Sequence, residues 1–402
     1  MSDITPDQVV TTSNPLAGLS KVLRVNIRQY GMLVALIAIM IFFQIMTDGI
    51  LMKPVNLTNL ILQNSYIVIM AIGMLLLIVA GHIDLSVGSI VAFVGASAAV
   101  MTVSYELNFI VTIIACLFLG AIIGAAQGYW VAYQKIPSFI VTLAGMLVFR
   151  GLTLALLEGQ SIGPFPTGFQ KLSTGFIADI FGNETLNITA LLMGALVSAT
   201  LIYFDFQTRR KQQEYHINVT PLPLFILKNA VLTGAIMYLS YLMASYKGLP
   251  NVLVVLFILI VVYTFVANQT TLGRRIFAIG GNEKAAKLSG VNTERLTFFT
   301  FVNLGVLSAL AGLVFAARLN VATPKAGNAF ELDVIAACFI GGASMSGGVG
   351  TIIGAVIGAF VMGVMNNGMS ILGIGIEWQQ VIKGLVLLAA VFFDVYNKNK
   401  SG

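Results

Sequence analysis

Asp84 and Ser86 stand in a stretch, Gly81-His82-Ile83-Asp84-Leu85-Ser86-Val87-Gly88-Ser89, that interrupts two apolar runs. A carboxylate among apolar neighbours costs free energy unless it is paired, hydrated or hydrogen-bonded. Non-helical backbone at membrane depth persists only where it lines a cavity or lies within protein. Two readings follow. Asp84 and Ser86 line a polar path, or Asp84 caps the helix that comes next. Asn366-Asn367-Gly368 poses the same choice at the end of the apolar run 350–365. Its amides suit hydroxyl groups of a solute, and its Gly suits a turn. Ser138 and Phe139 follow Lys135-Ile136-Pro137, a pattern that predicts a turn into a new helix.

Other polar residues in apolar surroundings read as structural. Arg150 either pairs with a carboxylate or reaches outward to water. Lys383 lies about two helical turns into the last apolar run, with Glu377 and Gln380 roughly on its face, so pairing within that helix is expected. The chain has two cysteines, Cys116 and Cys338, and two histidines, His82 and His216. That supply gives neither a disulfide framework nor a metal cluster, and no metal or cofactor is expected. No clustered nucleophile, base or metal set emerges, so an enzyme is disfavoured and no catalytic residue is assigned. The phosphate-binding pattern G-x-x-x-x-G-K-[ST] does not occur, so any ATP chemistry must come from another subunit.

The elements that must position these residues are membrane spans. Of 402 residues, 58% are hydrophobic and only 9% charged, with mean hydropathy +0.93. So few charges cannot cover a water-soluble globule, whose charged share is about 25%. So many apolar residues exclude disorder. A span takes about 20 apolar residues, which allows roughly ten to twelve spans. The fold expected is all-α and polytopic, with about ten transmembrane helices and a short broken or re-entrant element. Net charge of +6 is read as basic loops beside a bilayer rather than as nucleic-acid binding.

Apolar runs fall at 31–46, 58–80, 88–103, 109–132, 138–157, 186–204, 224–245, 251–267 and 297–317, then a pair at 332–344 and 350–366, and a last run at 376–395. Residues 332–344 are too few for an ideal span, so the pair either crosses twice or forms a re-entrant unit, and ten or twelve crossings both remain open. With the N-terminus inside, the inner segments hold fourteen Lys and Arg residues and the outer segments five. That asymmetry places both termini in the cytoplasm. Residues 1–28 are expected as a cytoplasmic tail, 29–396 as one membrane domain and 397–402 as a second cytoplasmic tail.

Gly120, Gly124 and Gly128 share one helix face, as do Gly350, Gly354 and Gly358. Small residues at this spacing let helix backbones approach closely. A weak internal echo relates Val87-Gly88-Ser89-Ile90-Val91 to Val349-Gly350-Thr351-Ile352-Ile353, open to reading as a repeat of two halves or as chance.

The longest basic loop contains Arg274, Arg275, Gly280, Gly281, Asn282, Glu283, Ala285, Ala286 and Gly290. Asn282 can cap a short helix and Gly290 can stop it. Such a helix either docks a partner or lies among lipid headgroups.

The chain resembles the membrane-spanning permeases of bacterial ABC importers for monosaccharides, the ribose, xylose, galactose and multiple-sugar group. It is most similar in flavour to the xylose and multiple-monosaccharide permeases. The resemblance rests on 81–89, 137–146, 272–291, Glu331-Leu332-Asp333-Val334-Ile335-Ala336-Ala337, Gly341-Gly342-Ala343-Ser344, Gly347-Gly348-Val349-Gly350 and Asn366-Asn367-Gly368. It implies a coupling helix within 272–291 that docks on a separate ATP-binding cassette ATPase subunit, with Arg274, Arg275, Gly281, Asn282, Glu283, Ala285, Ala286 and Gly290 at or near the contact. Ala285, Ala286 and Gly290 keep the spacing of a Glu-Ala-Ala motif followed by Gly, while Glu283 is displaced by one residue. It also implies a periplasmic sugar-binding protein, a second permease copy as homodimer or heterodimer, and a bacterial inner-membrane location. The path would run past Asp84, Ser86, Ser138, Phe139, Asn366 and Asn367. Two alternatives stand beside it. In one the same architecture serves another small polar solute, such as a nucleoside or signalling sugar derivative; in the other an ion gradient drives transport through Asp84, Asp333 or Glu377.

Overall fold

The computed structural model describes residues 27–182, 186–215 and 221–401. Most of the expected N-terminal tail, and His216, lie outside the described residues. In chain order the helices are α1 (Ile27–Met46), α2 (Pro54–Val79), α3 (Val87–Ala99, extended by a π-helical turn Val100–Ser104), α4 (Phe109–Ala132) and α5 (Ser138–Leu156). They continue as α6 (Thr167–Gln170), α7 (Ile188–Glu214), α8 (Leu222–Ala244), α9 (Asn251–Gln269), α10 (Thr271–Gly281) and α11 (Glu283–Leu288). The last four are α12 (Thr293–Leu319), α13 (Phe330–Ile340), α14 (Ile352–Ile371) and α15 (Ile376–Ser401). Among the described residues, nine helices are long and apolar enough to cross a membrane, and α1 holds a shorter apolar stretch. The chain is therefore an all-α polytopic membrane protein. The short run expected at 332–344 is α13, only 11 residues long.

Burial divides the helices. In its most apolar window α2 is 89% buried, against 11% for α5 and 6% for α8. α2 is thus the axis of the fold, and α5 and α8 lie at its rim. Around α2 pack α12, α13 and α14, whose apolar side chains form one continuous core with it. The glycine faces make this closeness possible. A Cβ on Gly124 would lie 2.9 Å from the Cα of Val302 on α12, and one on Gly128 would lie 3.0 Å from the Phe298 carbonyl. Such backbone contact supplies van der Waals energy that lipid tails do not. Gly354 and Gly358 do the same against Gly341 and Ala337, joining α14 to α13. Gly350 precedes α14 and faces Leu75 and Val79 of α2 instead.

Candidate functional site

α2 stops because the sequence provides a left-handed glycine. Gly81 has φ +88°, its N–H bonds the Ile78 carbonyl, and the His82 N–H bonds that of Leu77. This pair of bonds closes the helix. The chain then runs without helical structure to Ser86. The Ile83 N–H donates to Ser138 Oγ at the first turn of α5. Ser86 already lies beside Gly145, whose Cβ would be 3.5 Å from the Ser86 Cβ. Gly145 is about 10 Å further along α5 at 1.5 Å per residue. Residues 80–86 therefore climb along α5 into the protein before α3 begins.

A second break enters from the opposite end. α12 closes on Asn320, left-handed at φ 57°, whose side chain accepts from the Phe165 N–H. Residues 320–329 then descend non-helically until α13 starts at Phe330. Arg150 of α5 donates to the carbonyls of Ala326 and Gly327 at 3.2 and 3.4 Å. It thus satisfies backbone acceptors of the broken segment, and among the described residues it forms no direct carboxylate pair. Arg150 is about 18 Å along α5 from Ser138, so this contact falls within the thickness of a bilayer core of about 30 Å.

The two breaks meet. Gly327, at φ +68°, packs its backbone on that of Gly88, and a Cβ on either would run into the other. The N-termini of α3 and α13 thus approach one another, each with the partial positive charge of a helix start. Three buried carboxylates gather there, Asp84, Glu331 and Asp333, the last two in the first turn of α13. The partner of the Gly88 segment is the 320–329 segment.

Asp84 is 2% exposed and accepts from the Ser86 N–H at 2.7 Å and the Ser86 hydroxyl at 2.6 Å. The carboxylate thus orders the turn before α3 rather than capping the helix at its own position. Ser86 Oγ accepts in turn from Gln127 Nε2 at 2.8 Å. Gln127 Oε1 and Glu331 Oε2 are buried with no hydrogen-bond partner among the described residues. Glu331 feels the charges of Arg150, Asp333 and Asp84. The arrangement offers a row of donors and acceptors with two open acceptors, suited to hydroxyl groups.

Other residues singled out in the sequence separate from this cluster. Ser138 is joined to it through Ile83, and Phe139 is 55% exposed. Asn366 and Asn367 lie within α14 and form no turn, because the helix continues to Ile371. Asn367 exchanges amide hydrogen bonds with Asn56 of α2 at 2.9 and 3.1 Å. Asn366 donates to Asp333 Oδ2 at 3.4 Å. Lys383 does not pair within its own helix but reaches α13, with Nζ 3.0 Å from Asp333 Oδ1. The compensating charge for a buried carboxylate outweighs a local pair exposed at the start of α15.

The basic loop forms two short helices. Thr270 caps α10 by accepting from the Gly273 N–H, and Asn282 caps α11 by accepting from the Ala285 N–H. Gly290, at φ +82°, ends α11 with the same pair of closing bonds as Gly81. Arg274, Arg275, Gly281, Asn282, Glu283, Ala285 and Gly290 are exposed, whereas Ala286 is buried against the fold. Glu294 holds α11 in place by accepting from Lys287 at 2.6 Å, and this hydrogen bond pushes the Lys287 pKa up. Leu288 is 91% exposed.

Residues 56–391 match the model of a family described as the branched-chain amino acid transport system / permease component. The chain belongs to this permease family. The permease is 42% identical to the xylose transport system permease protein XylH of Haemophilus influenzae, over 94% of this chain and 99% of that one. It is 37% identical to XylH of Escherichia coli over the whole of both chains. It is 35% identical to the ribose import permease protein RbsC of E. coli, over 84% of this chain and 85% of that one. No solved structure matches the permease.

Sequence reasoning missed four residues of this region. Glu331 was legible as a second carboxylate two positions before Asp333 in an apolar run. Gln127 is hidden between Gly124 and Gly128, where the packing pattern dominates. Gly327 and Leu288 carry no local signal that marks them out.

Proposed function

We propose that this permease carries a monosaccharide, xylose or several sugars, as the membrane subunit of an ATP-binding-cassette importer in a bacterial inner membrane. The observation that carries the reading is the identity with the xylose permeases across essentially their full length. The ATPase and the periplasmic sugar-binding protein are separate subunits, and a second permease copy completes the assembly. The excess of Lys and Arg in the segments that include 268–296 supports cytoplasmic termini and a cytoplasmic position for α10 and α11.

Asp84, Ser86, Gln127 and Glu331 are the polar groups that a sugar meets at the crossing of the two broken segments. Half-helix N-termini near the bilayer midplane are a recurrent setting for polar solutes in transporters. Asn366 contributes through Asp333, and Asn367 serves packing with Asn56. Ser138 supports the broken segment, while Phe139 lies outside the path. α11 docks on the ATPase through its exposed side, and Ala286 keeps the helix seated.

The deciding experiment reconstitutes the permease in proteoliposomes with its cognate ATPase and binding protein and follows labelled xylose, ribose and a nucleoside. ATP-dependent accumulation of xylose is the expected result. Uptake that proceeds without ATP and collapses with an ionophore would overturn the proposal in favour of an ion-coupled carrier. ATP-driven accumulation of the nucleoside alone would reassign the solute.

A further inference from the structure

A cavity of about 230 Å³ lies where α9, α10 and α12 meet the inner helix α2, beside the basic loop. Tyr263, whose hydroxyl donates to Asn303 Oδ1, and Asn303 are its polar lining. Its mouth is formed by Val262, Leu272 and Phe299, which are 48%, 43% and 47% exposed. Val262 and Phe299 are apolar and exposed on the spanning helices α9 and α12, with Leu272 of the loop helix α10 beside them, so the cavity opens onto the exposed apolar face between α9 and α12.

Two arginines frame that mouth at the loop end. Arg275 follows Leu272 by three residues and shares its flank of α10. Arg295 precedes Phe299 by one turn of α12, with its guanidinium carbon 5.7 Å from the Phe299 ring centroid. Both are exposed, and neither forms an ion pair among the described residues. The carboxylate nearest in sequence, Glu294, is taken by Lys287 and Lys135 at 2.6 and 3.6 Å. An apolar cavity open to acyl chains thus sits beneath two uncompensated cations at the membrane boundary. Arginine forks match phosphate geometry, and basic pockets between spanning helices at this level hold acidic headgroups.

We propose that this cavity binds one anionic phospholipid, with an acyl chain between α9 and α12 and its phosphate on Arg275 and Arg295. The site abuts α10, so an occupying lipid braces the segment that leads to α11. The proposal rests on the loop 271–291 lying at the membrane surface but not on the identity of the transported solute.

The test is native mass spectrometry of the detergent-purified full chain, incubated with equimolar phosphatidylglycerol and phosphatidylcholine. The wild type should retain phosphatidylglycerol preferentially. The double variant Arg275→Gln, Arg295→Gln should lose that preference, by roughly fivefold per arginine. Val266→Trp, which fills the cavity and keeps both charges, should reduce retention of the lipid while leaving the melting temperature within a few degrees. Equal retention of the two lipids by the wild type, or an undiminished preference in the double variant, would overturn the site. Because the readout is bound lipid mass, failure here is separate from failure of the sugar-uptake reading.

Discussion

Gly280, at the end of α10, lies directly against the carbonyl of Val79, the last residue of α2, so closely that a Cβ would have no room. The same Val79 carbonyl accepts from the Gly348 N–H at 2.9 Å. Beyond Val79 the chain turns at Gly81 and climbs to Asp84 and Ser86. The loop helix α10 therefore touches the base of the broken segment that carries the polar cluster. A displacement of α10 and α11 has a direct backbone route to that cluster, with no flexible side chain between.

Replacing Gly280 tests this contact. Gly280→Ala must push Val79 or α10 aside, at a cost of about 1–3 kcal/mol for an overpacked site. The expected outcome is uptake reduced at least about tenfold, with monodisperse protein that still binds its ATPase. Gly384→Ala is the control, since no described residue lies within 4 Å of its added Cβ and a helix gains up to about 1 kcal/mol from the change. Size-exclusion chromatography and proteoliposome uptake, run together, separate a coupling defect from misfolding. Wild-type uptake in Gly280→Ala would remove the proposed route.

Leu288 is expected to anchor the ATPase. An exposed leucine on a six-residue helix at the loop surface loses little in the free chain but gains about 1.5–3 kcal/mol when covered. Leu288→Gln keeps helix propensity and removes that gain. Co-purification of the ATPase should fall about 10- to 100-fold while the thermal midpoint of the permease alone is unchanged. By contrast, a bulky residue at buried Ala286 should lower that midpoint, because it displaces α11 from the fold.

Much of this was legible in the sequence, and the omissions have physical causes. The spans, the glycine face on α4 and both helix boundaries at Asn282 and Gly290 follow from local rules of hydropathy, packing and capping. The tension at Asp84 was also visible, because a carboxylate in an apolar run demands an explanation. What the sequence hid is contact between distant segments. Lys383 has Glu377 and Gln380 near it along the helix, yet it pairs with Asp333 of α13. Asn366-Asn367-Gly368 has the composition of a turn, yet its amides bind α2 and α13 and its Gly packs against Phe43. Nothing local announces that Gly88 and Gly327 meet, since each glycine's role is defined only by the other.

Gln127 offers a way to distinguish sugar contact from scaffolding. Gln127→Leu removes its hydrogen bond to Ser86 and its open acceptor in one change. Loss of a single hydrogen bond costs about 1 kcal/mol of stability. If Oε1 meets the sugar, uptake falls by much more than that, on the order of 10- to 100-fold, since a site built to pair with a hydroxyl loses a full polar partner. Thermal stability and binding-protein-stimulated ATPase activity should stay near wild type. Parallel, modest losses in all three measurements would confine Gln127 to a structural role.

The ion pair of Lys383 with Asp333 has the most sharply defined test. Asp333 is 5% exposed, and Lys383 is the cation that faces it, with Asn366 supplying a further donor. Lys383→Met leaves a buried carboxylate without its charge partner, which costs about 3–5 kcal/mol. It should lower the melting temperature sharply and detach α15 from α13. Asp333→Asn alone strands a lysine that is 20% exposed and can shift towards water, so its cost should be smaller. Combining the two removes both charges and should recover most of the stability lost in Lys383→Met, a coupling that a double-mutant cycle reads directly. If the double variant instead retains transport as well as stability, the pair is a fastening between helices. If stability returns and uptake does not, Asp333 also acts in the path beside Glu331. Strictly additive losses in the cycle would refute the pairing itself.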